Sequence, residues 1–406
     1  MPPRPRLALS AHFWGQETVG SGQYLHHLAA ALASLEEGPQ VVLCGPARLR
    51  ERRPPPAGLA WRDLGPSPWQ RLAPNLDKLW FEQVSFPRAC RAVGAALAHV
   101  PYFASPLLPS VATVVTVHDL IPLLVPGYRR PALVRAYTRL VSRAARRAAL
   151  VLTDAEATRA EVIRHLGLPP ERVRAVPLAA AAAYRPLADG RVLAAVRARY
   201  ALPETYLLYL GGYDQRRNLS TLFRALALAR SRDPALPLLA LGGPLPAADT
   251  PFTPDPRRLA AEAGVSAGVR FLGRVPEEDK PALYSGALAF LFPSRYEGFG
   301  LPVLEAMACG APAVVAHATT LWPGRGPCTS SRTTWPAGRR PSSAWCRMAP
   351  CGRSCARAAW PTPPAFPGSA QLGRRSPPTA RSWRAACHSR LGRSPDGGSL
   401  APCSYA

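Results

Sequence analysis

The run VATVVTV at Val111–Val117 is the strongest constraint on the fold. It is almost wholly β-branched, so it suits a pleated backbone better than a helix. It shows no polar/apolar alternation, so both of its faces must be covered. Only a strand inside a parallel sheet with helices on both sides meets that condition. Similar short apolar runs recur at Leu7–Ser10, Val41–Cys44, Ala148–Thr153 and Val173–Pro177. A second series occupies TYLLYLGG from residue 205, Leu236–Gly243, Val269–Gly273, Ala287–Phe292 and Ala311–Val315.

Segments of helical spacing separate these runs. Tyr24, Leu25, Leu28 and Leu32 share one face. Residues 69–98 read as largely helical, with breaks at Pro74 and Pro87, and Pro131–Ala149 and Leu219–Ala229 read as helices. Gly20 and Gly22 read as a flexible turn before the first helix. Strand and helix thus alternate twice over, which predicts an α/β protein of two Rossmann-like domains. The expected boundaries are 1–190 and 200–317, joined through a weakly structured stretch near 178–200.

Residues 318–406 differ in kind. Thirteen arginines against Asp396 put +12 of the chain's net charge of +25 there, with six of nine cysteines and five of nine tryptophans. A disordered basic arm is poor in Trp and Cys. GC-rich codons read out of frame yield this composition, so we expect a loss of frame near Leu321 and an incomplete second domain. Cys346, Cys351 and Cys355 imitate a metal site within that stretch, but no metal or cofactor is expected. The remaining charge is a milder excess without aromatic interleaving, which speaks against a nucleic-acid partner. Three cysteines before residue 318 and no apolar run of 18 residues argue against a disulfide scaffold and a membrane span. A cytoplasmic protein is the expectation.

The stretch RYEGFGLPVLEAMACG, Arg295–Gly310, holds two acids eight residues apart. A strand leads into it. Gly298 and Gly300 permit close approach to the backbone, and Pro302 suits the first turn of a helix. That helix start suits a phosphate. Glu305 lies about a turn inside and Glu297 before the turn. The same residues also fit a local cap and a solvated loop acid. Arg216 and Arg217 follow a Gly–Gly turn, and His118 ends the β-branched run. Each has an ordinary structural reading as surface charge or packed imidazole.

FLFPSRYEGFGLPVLEAMACGAPAVV resembles the E-x7-E signature of the retaining glycosyltransferase family 4, whose GT-B fold sets two Rossmann-like domains across a cleft. VVTVHDLIPL, VLTDAEATRAEVIRHLGLPPERVRAVPL, YLLYLGGYDQRRNLSTLFRAL and VRFLGRVPEEDKPALYSGA resemble further segments of that family, in its order, over residues 5–317. The resemblance implies transfer of a hexose from GDP-mannose or a UDP-sugar to a saccharide or lipid-linked acceptor. It implies that Glu305 binds the ribose, Glu297 lies by the donor sugar, and Phe299, Gly300 and Leu301 offer backbone contacts. Arg216 and Arg217 would neutralise the departing diphosphate, His118 would face sugar and acceptor, and Gly20 and Gly22 would close over the diphosphate. Ala179–Ala183 stand where the family often carries an acid. A sugar-nucleotide epimerase of the same shape and a non-enzymatic binding protein remain alternatives, and arginines near Arg143–Arg147 leave contact with the inner membrane open.

Overall fold

A computed structural model describes residues 4–16, 19–69, 73–129 and 132–316. The tail with its frame reading and the three cysteines lies outside the described residues. Seven strands form the first sheet: β1 Arg6–Ser10, β2 Gln40–Pro46, β3 Ala60–Leu64, β4 Leu97–Val100, β5 Thr113–Val117, β6 Leu150–Thr153 and β7 Val173–Ala175. They lie in the order β3-β2-β1-β4-β5-β6-β7, and every pair is parallel. Five more form the second: β8 Tyr206–Leu210, β9 Leu238–Gly242, β10 Val269–Gly273, β11 Ala289–Phe292 and β12 Ala313–Val315. Their order is β10-β9-β8-β11-β12, again all parallel.

The β-branched run behaves as its composition demands. Val115 and Val117 are fully buried, as are Leu208, Tyr209 and Phe290 in the second sheet. Helices cover both sheets, as right-sized crossovers between parallel strands require.

Several elements depart from the sequence reading. Gly20 and Gly22 do not form a flexible turn; they open the helix Gly20–Ala33. Glycine is needed at 22 for space: a Cβ there would lie 2.1 Å from the Gln16 carbonyl oxygen. Within 69–98 the helix Pro74–Trp80 runs through a π-helical turn, Phe81–Ser85, into Phe86–Ala92, and the chain then enters β4. The join near 178–200 carries the helix Gly190–Arg199, whose start is capped by Asp189 accepting from the Arg191 N–H at 2.8 Å.

Parallel sheets gather ligands beyond the carboxyl ends of their strands, where the strand order reverses. In the second sheet that reversal falls between β8 and β11.

Candidate active site

Arg216 and Arg217 follow β8, and Glu297 follows β11. These neighbouring strands bring together residues 80 positions apart. Backbone and side-chain bonds then stitch the two loops. Arg295 N–H donates to the Arg216 carbonyl at 2.8 Å. The Asn218 amide donates to the Pro293 carbonyl at 3.2 Å, and Arg216 Nη1 to the Tyr296 carbonyl at 3.2 Å. Asn218 stands in the left-handed region at φ 58°, a conformation its short polar side chain tolerates, and starts the helix Leu219–Arg232.

The two guanidiniums share Glu297, which is 7% exposed. Arg216 Nη1 lies 2.9 Å from Glu297 Oε2, and Arg217 Nη1 bonds Glu297 Oε1. Asp214 stands on the other side, 3.2 Å from Arg216 Nε and 3.7 Å from Arg217 Nε. These last contacts are ionic, since neither Nε makes a well-aligned hydrogen bond. Asp214 also caps the 3-10 turn Gln215–Arg217 by accepting from the Arg216 N–H. Tyr128, from the first sheet's half, donates to Asp214 Oδ1 at 2.8 Å. Two cations and two anions thus form one cluster of nearly balanced charge. Burial works against the charged form of Arg216, but Glu297 and Asp214 outweigh it and its pKa is raised.

Beyond Glu297 the loop turns into the helix Leu301–Ala308. Gly300, at φ 88°, is its N-cap, a backbone conformation that favours glycine. In the first turn Pro302 has no N–H, and the Val303 N–H bonds the Gly300 carbonyl at 3.0 Å. Glu305 does not join the Arg216–Arg217–Glu297 cluster in the described contacts. Its Oε2 accepts from the Tyr284 hydroxyl at 3.0 Å. Burial raises its pKa, partly offset by Lys280 and by that bond.

His118 lies at the end of β5. Its Nδ1 is 2.7 Å from Asp154 Oδ2, at the end of β6, and its Nε2 is 3.1 Å from the Pro101 carbonyl. Both neighbours are acceptors, an arrangement that favours the doubly protonated, charged ring. Burial lowers its pKa, but the Asp154 bond and charge together raise it on balance. Tyr24, one turn beyond Gly20, sets its ring edge-on to His118 at 4.8 Å. This places the helix opened by Gly20 and Gly22 beside the histidine.

The two clusters meet through Gly298. A Cβ on it would fall 2.0 Å from the His118 carbonyl oxygen. Thr158 Oγ1 donates to the Gly298 carbonyl at 3.0 Å, and Tyr296 donates to Glu161. Sequence reasoning missed Asp214, Asp154, Tyr128 and Tyr284. Only Asp214 leaves a local trace, an Asp two residues before a basic residue, as in an Asx turn. Among the described residues, no three His, Cys, Asp or Glu side chains are grouped to hold a metal ion. No helix among them is long and apolar enough to cross a membrane.

Comparison with known proteins follows the same division. The model of the glycosyl transferases group 1 matches residues 197–321, and that of glycosyltransferase family 4 matches residues 19–180. O-antigen chain mannosyltransferase B of Escherichia coli is 34% identical over 213 residues, 51% of this chain and 54% of that protein. D-inositol 3-phosphate glycosyltransferase of Salinispora arenicola is 37% identical over 172 residues, 40% of this chain and 35% of that protein. The chain therefore spans about half and about a third of the length of these two relatives. Sucrose-phosphate synthase of Thermosynechococcus elongatus superposes with a TM-score of 0.59 at 23% identity, over 78% of this chain and 82% of that one. Anabaena Alr3699/HepE in complex with UDP-glucose gives 0.57 at 17%, over 78% and 81%. At such identities these two structures speak for the fold alone. With its two halves matched in turn, the chain is similar to the group 1 and family 4 glycosyltransferases, and its two parallel sheets have the GT-B architecture of the structures that superpose on it.

Proposed function

We propose that this protein transfers a hexose from a nucleotide-sugar to an acceptor hydroxyl, with retained anomeric configuration, in the synthesis of a polysaccharide or glycolipid. The observation that carries this reading is the meeting of Arg216, Arg217 and Glu297 at the reversal of the second sheet, beside the start of the helix Leu301–Ala308. Breaking the bond between the sugar's anomeric carbon and a diphosphate builds charge on the leaving group, and fixed cations and N–H groups lower the cost of that charge. The arginine pair and the backbone of Phe299, Gly300 and Leu301 are the groups we assign to this role. The helix opened by Gly20 and Gly22 closes the diphosphate side, and Glu305 takes the ribose hydroxyls.

His118 suits electrostatic support better than base catalysis, because both its nitrogens already face acceptors within the protein. The acceptor oxygen then attacks from the face the diphosphate leaves, and its proton passes to the departing phosphate oxygen. No covalent sugar–enzyme intermediate is needed. GDP-mannose is the first donor to test, supported by the likeness to the O-antigen mannosyltransferase; a UDP-sugar is the second. The acceptor is a saccharide or a lipid-linked saccharide. The exposed Arg135, Arg139 and Arg143, four residues apart on the helix Ala132–Ala145, suit a cytoplasmic protein that touches an anionic membrane face.

The test supplies the full chain with GDP-mannose or UDP-sugars and mannosylated acceptors. Nucleotide release is measured together with the configuration of the new bond by NMR. An α-linked mannose formed from GDP-α-mannose with matching GDP release is expected. A β-linked product would overturn retention. Epimerised sugar formed without an acceptor would replace transfer by epimerisation.

A further inference from the structure

The first sheet reverses its strand order between β1 and β4, and such a reversal suits a ligand as much as the one in the second sheet. His118 accounts only for the end of β5. On the other side of the reversal a cavity of about 140 Å³ opens over the carboxyl ends of β1, β2 and β3. His12 lines it from just beyond β1, Arg48 from beyond β2 and Ser67 from beyond β3. Asp77 and Trp80 line it from the helix Pro74–Trp80, and Phe81 from the turn that follows. Three strand spacings separate β2 from β5, about 14 Å across the sheet. A sugar in this cavity is therefore not the one that meets His118.

The lining joins aromatic surface to balanced polar groups. The His12 and Phe81 rings lie 5.1 Å apart, and Trp80 is half-buried. The Ser67 hydroxyl donates to Asp77 Oδ1 at 2.6 Å, and Arg48 Nη2 lies 3.5 Å from Asp77 Oδ2. Behind them Lys78 pairs with Glu82 at 3.7 Å. With each cation facing a carboxylate, the cavity offers an anion no net charge. Burial, with Lys78 nearby, lowers the His12 pKa to about 4, so the ring is neutral and carries one donor and one acceptor. Among the described residues neither the His12 ring nor the Trp80 N–H has a hydrogen-bond partner. An uncharged sugar ring matches this set. Its C–H face lies against an aromatic ring, and its hydroxyls both donate and accept.

We propose that this cavity is a neutral-sugar subsite, which holds a saccharide unit of the acceptor remote from the hydroxyl that is glycosylated. Trp80 and His12 supply the ring contacts, and Arg48, Ser67 and Asp77 supply the hydroxyl contacts. The inference rests on the reading that the protein transfers a sugar to a saccharide. It adds that the acceptor is an uncharged oligosaccharide and not a single sugar.

The experiment uses the full chain and two readouts. Titration calorimetry without donor measures binding of mannotriose, maltotriose and cellotriose, each against its monosaccharide, and of a uronic-acid trisaccharide. Initial rates with GDP-mannose and UDP-glucose give kcat/KM for the same acceptors. At least one neutral trisaccharide is expected to bind about tenfold tighter than its monosaccharide, the worth of one well-stacked ring. The same gain is expected in kcat/KM, carried by KM and not by kcat. Trp80→Ala is expected to abolish most of both gains. If Trp80→Ala fails to melt cooperatively, Arg48→Ala carries the test, because Arg48 is exposed and its loss leaves the core intact. Trisaccharides bound no better than monosaccharides, or a gain that survives in a cooperatively folded variant, overturn the subsite. Preference for the uronic-acid trisaccharide overturns its neutrality. Trisaccharide binding that depends on Trp80, with no transfer from any donor, upholds the sugar site and overturns the transfer reading alone.

Discussion

The two sheets end in clusters of opposite character. Beyond β8 and β11, two arginines and two carboxylates lie in mutual contact, and the local charge is balanced by ions. Beyond β5 and β6, one imidazole is held between a carboxylate and a backbone carbonyl, and its charge depends on pH. The first cluster pairs guanidiniums with carboxylates, so it answers to competing anions. The second is built around a histidine whose pKa Asp154 raises against burial, so it answers to protons. A single glycine, Gly298, joins them. The division fits a reaction in which one side must hold a leaving anion and the other must only shape the space for sugar and acceptor.

The largest effect is expected where the two clusters touch. Gly298→Ala puts a Cβ 2.0 Å from the His118 carbonyl oxygen and 3.0 Å from Asp119 Cβ, and the first of these is backbone. The loop carrying Glu297 must then move. Displacements of about 1 Å near reacting groups cost roughly a hundredfold in rate. A loss of that size in transfer rate at saturating donor is expected. A rate within twofold of the natural protein would show that the joint has no bearing on the chemistry.

Much of this architecture was legible in the sequence, and what escaped has physical reasons. β5 and β8 announce themselves because both faces are buried and the residues are almost all apolar. β3 does not, because AWRDL is a sheet edge with no buried residue and reads as a polar loop. β4 is four residues long and contains the buried His99, so it merges with the preceding helix in any periodicity count. Within the site, the Glu pair and the arginines are visible as local patterns. Their mutual bonding is not, since Arg217 and Glu297 are 80 residues apart and meet only because β8 and β11 are neighbours. The same holds for His118 and Asp154, 36 residues apart on paired strands. Glu305 shows the reverse limit. The E-x7-E spacing suggests a pair, yet the helix turns Glu305 onto Tyr284 while Glu297 faces the arginines.

The second effect sharpens the proton-sensitive side. A histidine whose folded pKa is raised contributes stability that is fully present below its unfolded pKa of about 6.5 and is lost as pH rises through the folded value. The natural protein should therefore lose stability on that upward limb. Asp154→Asn removes the charge that opposes burial, leaving the neutral ring favoured. We expect it to be about 2 kcal/mol less stable below pH 6.5, the usual worth of a hydrogen bond between charged groups, and to show a flatter stability–pH curve above it. Denaturant midpoints from pH 5 to 9, with the His118 ring titration followed by NMR, measure both. A curve of unchanged shape in Asp154→Asn would remove His118 as its cause.

The smallest effect separates the joint's packing from its hydrogen bonds. Tyr296 donates to Glu161 and accepts from the Leu120 N–H at 3.4 Å, and its side chain is nearly buried. Tyr296→Phe keeps the ring and removes only the hydroxyl. The Leu120 contact is long and contributes little, so the cost is chiefly the bond to Glu161, and about 1 kcal/mol of stability is expected to go. If the bond fixes the loop, the transfer rate should fall with stability. If Gly298 against His118 fixes it, the rate should stay within a fewfold of the natural protein while the denaturant midpoint drops. We expect the second outcome, because steric contact with backbone leaves the loop no alternative seat, whereas a lost hydroxyl leaves its seat intact. A rate loss in Tyr296→Phe as large as in Gly298→Ala would move the joint from packing to hydrogen bonding.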